Sequence, residues 1–80
     1  MSWEEIIQEK LKQVKYPGFS RDIISFGLVQ SVQVEKDVAT ITLTLSTNEE
    51  SVIEKLRSDI QQALQDIKEI QRFDIHIRRQ

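Results

Sequence analysis

Asp22 is the carboxylate set at the head of an apolar run, Asp22-Ile23-Ile24-Ser25-Phe26-Gly27-Leu28-Val29. A carboxylate in that position has two uses. It can take a donor or a cation from a partner, or it can cap the turn at Ile23-Ile24-Ser25 by accepting a backbone N–H. Capping is the expectation, and a lone carboxylate without a partner base gives acid–base catalysis no support. Glu49, Glu50 and Glu54 cluster farther along, and Glu50 and Glu54 share a helical face as converging metal ligands would. Acids at a helix start also suit the helix dipole, which is the reading expected here. His76 stands near Arg78 and Arg79 on a strand-like segment. Phosphate would suit those cations, but the interleaved aromatics that single-strand binding uses are missing, so a solvated edge is expected. Tyr16, Phe19 and Phe26 surround Pro17-Gly18. Loop aromatics serve as interface anchors or as core cover. Phe26 and Phe19 are expected to cover the core, and Tyr16 is left open.

The chain has 80 residues, with no cysteine and one histidine. The missing thiols exclude disulfides and thiolate-ligated sites, and one histidine makes no histidine-rich metal site. A net charge of -2 gives no overall pull toward nucleic acid or an anionic membrane. The apolar runs are too short for a transmembrane helix, and the acidic start, Met1-Ser2-Trp3-Glu4-Glu5, lacks a signal-peptide profile. The expected location is therefore the cytoplasm. The length suits one domain, residues 1–80.

The elements that must position these residues are legible. Ser2-Trp3-Glu4-Glu5 fits a capping box, and Trp3, Ile6, Ile7, Leu11 and Val14 form a helical stripe, so a first helix is expected from about Trp3 to Val14. Tyr16-Pro17-Gly18 stops it. Phe19 to Gly27 reads as irregular with one helical turn near Arg21 to Ser25. Strands are expected over Leu28–Glu35 and Val38–Ser46, joined by a short Lys36-Asp37 turn. In the second strand Ala39, Ile41, Leu43 and Leu45 alternate with Thr40, Thr42 and Thr44, giving one buried and one hydroxyl-bearing face. Thr47-Asn48-Glu49-Glu50 reads as a second capping box. Val52, Ile53, Leu56, Ile60, Ala63, Leu64 and Ile67 form the stripe of a second helix. A last strand, Gln71 to Arg78, turns Phe73, Ile75 and Ile77 inward and Asp74, His76 and Arg78 outward. The order helix-strand-strand-helix-strand predicts an α+β two-layer sandwich with helices on one side of a three-stranded mixed or antiparallel sheet. The helical crossover makes the third strand run parallel to the second, while its neighbour in the sheet stays open.

From about Glu4 to Ile77 the chain resembles the small iron–sulfur cluster assembly domain of SufT-like proteins and of the N-terminus of Mrp/ApbC-type P-loop ATPases. The resemblance is carried by Asp22 to Val29, which looks like the family's acid-Ile-Val-x-Leu-Gly-Leu-Val segment, by Ala39 to Leu45, and by Leu56-Arg57-Ser58-Asp59-Ile60. Two departures stand out. Where the family often has Asp-Pro-Glu, Tyr16-Pro17-Gly18 keeps only the proline. Glu50 stands where many members have a cysteine, with Asn48 and Ser51 where prolines often sit.

The resemblance implies a non-enzymatic accessory or docking domain in cluster assembly or transfer. Without a thiol it would bind no cofactor directly, and the cluster would sit on a partner or an adjoining domain. The expected partner is an iron–sulfur carrier or a P-loop ATPase, and the chain is either standalone or the N-terminal domain of a longer ATPase. Pro17, Asp22, Gly27 and Glu50 are the candidate interaction residues. Two rival readings are a nucleic-acid module using the outer face of the last strand and a homodimer pairing through a sheet edge. A metal-dependent enzyme ranks last, because no nucleophile, base and orienter come together.

Overall fold

The structure, a computed structural model, describes residues 2–46 and 49–79. Ser2 caps the first helix, α1 (Trp3–Leu11), by accepting the Glu5 N–H at 3.2 Å, with its hydroxyl 3.4 Å from the Glu5 carboxylate. This is the N-cap half of the predicted capping box, with the Glu5 carboxylate taking the Ser2 hydroxyl. The helix ends three residues short of Val14. Val14 remains buried all the same, because the chain turns inward after α1.

Strands β1 (Val29–Glu35) and β2 (Val38–Leu45) form an antiparallel hairpin closed by Lys36-Asp37, where Lys36 adopts a φ of 58°. The two-residue connection supplies a left-handed residue without glycine, which is why its signal was faint. Helix α2 (Glu50–Leu64) follows, then β3 (Arg72–Arg79), which lies parallel to β2. The sheet order β1-β2-β3 answers the open question: β2 is central and the sheet is mixed. The capping box proposed at Thr47 to Glu50 falls partly on residues 47 and 48, outside the described residues; Glu49 stands at the N-cap position.

The alternation of β2 works as expected. Ala39, Ile41, Leu43 and Leu45 are fully buried against Ile7 and Leu11 of α1 and Ile53, Leu56, Ile60 and Leu64 of α2. Val14, Ile23, Ile67, Ile70 and Ile75 complete the core. Register places Ser31, Thr42 and His76 abreast on the opposite face, with Gln33, Thr40 and Asp74 in the next row. This helix-free face is polar, as a half-wet sheet requires.

Both edge strands are engaged by a charged side chain from a helix. In a two-residue hairpin Val34 turns its N–H away from β2, and Glu4 of α1 accepts it at 3.3 Å. On the far side Arg57 of α2 donates to the Ile75 carbonyl at 3.0 Å. Among the described residues no helix is long and apolar enough to cross a membrane.

Candidate functional site

The segment between α1 and β1 is the most elaborated surface of the molecule. Its apolar content suggests that it is pinned to the core, and Ile23, fully buried, is the pin. Backbone bonds then fix the chain on either side. Ile23 N–H donates to the Val14 carbonyl at 2.9 Å and Tyr16 N–H to the Arg21 carbonyl at 3.2 Å, with a bridge between Lys15 and Asp22. These contacts fold residues 14–23 into a small hairpin. Pro17 and Gly18 make its bend: Phe19 N–H donates to the Tyr16 carbonyl at 2.9 Å, and Gly18 has a φ of 88°. Proline followed by a positive-φ glycine is the pattern of a type II turn.

A single helical turn follows, capped at both ends. Asp22 Oδ2 accepts the N–H groups of Ile24 and Ser25, each at 3.0 Å, while Oδ1 accepts the Ser25 hydroxyl at 2.8 Å. At the other end Leu28 N–H donates to the Ile23 carbonyl at 3.1 Å and Gly27 N–H to the Ile24 carbonyl at 3.0 Å. Gly27 has a φ of 77°. This pair of bonds around a left-handed glycine is a Schellman cap. Thr44 N–H then donates to the Leu28 carbonyl at 2.9 Å, fastening the loop to the end of β2.

Asp22 is thus the N-cap that the apolar run suggested. The Ser25 hydroxyl, then the Ser25 N–H, hold its carboxyl below the ordinary carboxylate range; desolvation opposes them, and the Ile24 N–H adds a lesser lowering. With both oxygens engaged inside the turn, the group shapes the loop.

The aromatic residues depart from expectation. Phe19 is 56% exposed and Phe26 is 37% exposed, so neither covers the core; Tyr16 is half-buried and packs against it. The reason is the double-capped turn, which directs Ile23 inward and leaves Phe26 on the outside. The three rings pack on one another instead. Their centroids lie 5.5 Å apart for Tyr16–Phe19 and Tyr16–Phe26, and 5.3 Å for Phe19–Phe26, an edge-to-face pair at 82°. The Arg21 guanidinium lies 5.6 Å from the Phe26 centroid and donates to the Ser25 carbonyl at 3.1 Å.

Glu50 opens α2 at the end of the sheet where β2 finishes, the same end to which Thr44 ties the loop. Arg79 donates to the Glu50 carboxylate at 2.7 Å. This splits the basic run read from the sequence. Arg79 pairs in register with inward-facing Leu45 and so lies on the helix-bearing face, whereas Arg78 pairs with outward-facing Thr44. Parity along the strand was the available signal for that split. The outer face therefore carries His76 and Arg78 without Arg79. Among the described residues no group of three or more His, Asp or Glu side chains converges as a metal site would need, and Glu50 is bonded to Arg79. Glu4 and Arg57, which hold the sheet edges, were not singled out by sequence reasoning. Edge contacts depend on strand order, which the sequence left open.

Comparison with known proteins places the chain in a lineage. Residues 4–76 match the model of a family described as iron–sulfur cluster assembly protein. The chain is 32% identical over 75 residues to the Fe-S protein maturation auxiliary factor YitW of Bacillus subtilis, covering 92% of this chain and 74% of that protein. It is 30% identical over 66 residues to an iron–sulfur cluster carrier protein of Helicobacter pylori, covering 82% of this chain but only 18% of that much longer protein. A crystal structure of a domain of unknown function, DUF59, from Bacillus anthracis superposes with a TM-score of 0.82 at 25% identity, over 92% of this chain and 72% of that one.

Proposed function

Because the chain belongs to the iron–sulfur cluster assembly protein family, we propose that it is a non-catalytic accessory domain that docks on a cluster-bearing protein in the cytoplasm and does not hold the cluster through its own thiolates. The observation that carries this reading is the absence of cysteine from all 80 residues. Protein-held clusters are bound chiefly by cysteine thiolates. Carboxylates are harder ligands, and Glu50 at the start of α2 already accepts from Arg79 at 2.7 Å. The cluster is then cargo on a partner, of the carrier or P-loop ATPase type, or on an adjoining domain of a longer chain.

The surface proposed for docking is the loop Pro17 to Gly27 with Asp22 as its cap, flanked by Glu50 at the same end of the sheet. Rigid loops that expose aromatic residues are where binding energy concentrates. The test is retention of a purified, cluster-loaded P-loop ATPase carrier on the immobilised chain. The reading expects retention by the parent chain and weaker retention by Asp22→Ala. A folded parent chain that retains no carrier removes it.

A further inference from the structure

The ring cluster beside Asp22 is a built surface with a definite chemical preference. The chain contains three phenylalanines, one tyrosine and one tryptophan, and three of these rings meet at Tyr16, Phe19 and Phe26. Phe19 and Phe26 are exposed, while the other large apolar side chains among the described residues, Tyr16 included, are buried or half-buried. The backbone beneath them is held by the type II turn, the Asp22 cap and the Schellman bonds, so little ordering is left to oppose binding.

Residues 15–27 carry a local excess of positive charge, Lys15 and Arg21 against Asp22. Lys15 and Arg21 are exposed, while the Asp22 oxygens accept three donors from Ile24 and Ser25. Arg21 spends one N–H on the Ser25 carbonyl and keeps further donors for an incoming acceptor. The remainder of the chain outweighs this local excess, giving a net charge of -2. An anionic bilayer would meet two cations here against that overall repulsion, so a lipid surface is the weaker match.

We infer that the Tyr16–Phe19–Phe26 surface docks an extended segment of a partner protein that presents an aromatic or branched aliphatic side chain next to a carboxylate. The apolar side chain packs on the exposed faces of Phe19 and Phe26, and Arg21 takes the carboxylate. This names the partner chemistry of the docking loop proposed above, and its test needs no cluster.

A random peptide display library panned on the intact chain reads the preference directly. Enriched sequences should pair an apolar residue with Asp or Glu. A synthetic peptide of that consensus should bind at least about tenfold more weakly to Phe19→Ala/Phe26→Ala, a loss typical of removing an anchor. Arg21→Glu should shift the enriched sequences from acidic to basic. Because neither phenylalanine contributes to the core, circular dichroism should show these variants folded. Enrichment without acidic residues, no enrichment, or affinity unchanged in the double variant would overturn the inference. Self-association abolished by Phe19→Ala would reassign the surface to a second copy of the chain. Phe19-dependent partition onto phosphatidylserine vesicles would reassign it to lipid. Loss of carrier retention alone would leave this preference standing.

Discussion

The Asp22 carboxylate accepts the Ser25 hydroxyl at 2.8 Å, and its second oxygen takes the Ser25 N–H at 3.0 Å. One side chain thereby holds the first residues of a helical turn from both its backbone and its side-chain donors. Asp22→Ala removes all three bonds and leaves the Ile24 and Ser25 N–H groups to water. The melting temperature should fall by about 5 °C, the shift that losing one good N-cap gives a chain of this size. Ser25→Ala should give a smaller fall, since it removes only the hydroxyl bond. Differential scanning calorimetry of the three proteins checks the order.

The same contact sets a pH dependence. The folded carboxyl is held below its ordinary range, first by the Ser25 hydroxyl. A group with a depressed folded pKa contributes stability that is complete above the unfolded value and is lost as pH falls through the folded one. Asp22→Asn should therefore flatten the acid limb of the stability profile below the ordinary carboxylate range and leave its neutral and alkaline parts parallel to the parent's. Urea midpoints across pH measure this, and an unchanged acid limb would contradict it.

Gly27 sits at a φ of 77°, and a Cβ placed there meets nothing within 4 Å. Any cost of Gly27→Ala is therefore conformational rather than steric crowding, about 1–2 kcal/mol for a left-handed alanine. Gly27→Asn should cost less, because asparagine tolerates that region better. Chemical denaturation separates the two variants.

Glu4 on the Val34 N–H and Arg57 on the Ile75 carbonyl occupy groups that an added strand would need. Unpaired edges invite association, and charged side chains blunt them. The parent chain should sediment as a monomer with respect to edge pairing. Glu4→Ala/Arg57→Ala should associate with rising concentration. A double variant that stays monomeric at high concentration would show that these contacts do not guard the edges.

Much of this fold was legible in residue order. The strict alternation from Ala39 to Leu45 identified the central strand and its buried face, and the stripe from Val52 to Leu64 identified the helix that covers it. Asp22 was readable as a cap because an acid stood two and three residues before the N–H groups it accepts. The misreadings have a common cause. Phe19 and Phe26 looked like core cover because their types are apolar. Their exposure is decided by the direction in which a double-capped turn points its side chains, which composition does not encode. Sheet order and the Glu50–Arg79 pair depend on tertiary arrangement, whereas the split of Arg79 from Arg78 across the two faces follows from parity along the strand.

The central claim is that this chain serves cluster assembly as a docking domain and does not itself hold the cluster. The most direct measurement mixes the chain anaerobically with a cluster-loaded carrier, separates them, and determines iron and acid-labile sulfide on each. The account predicts that the iron and sulfide stay with the carrier, and that the isolated chain, even after treatment with iron and sulfide, retains neither. Stoichiometric iron and sulfide retained on the cysteine-free chain would contradict it.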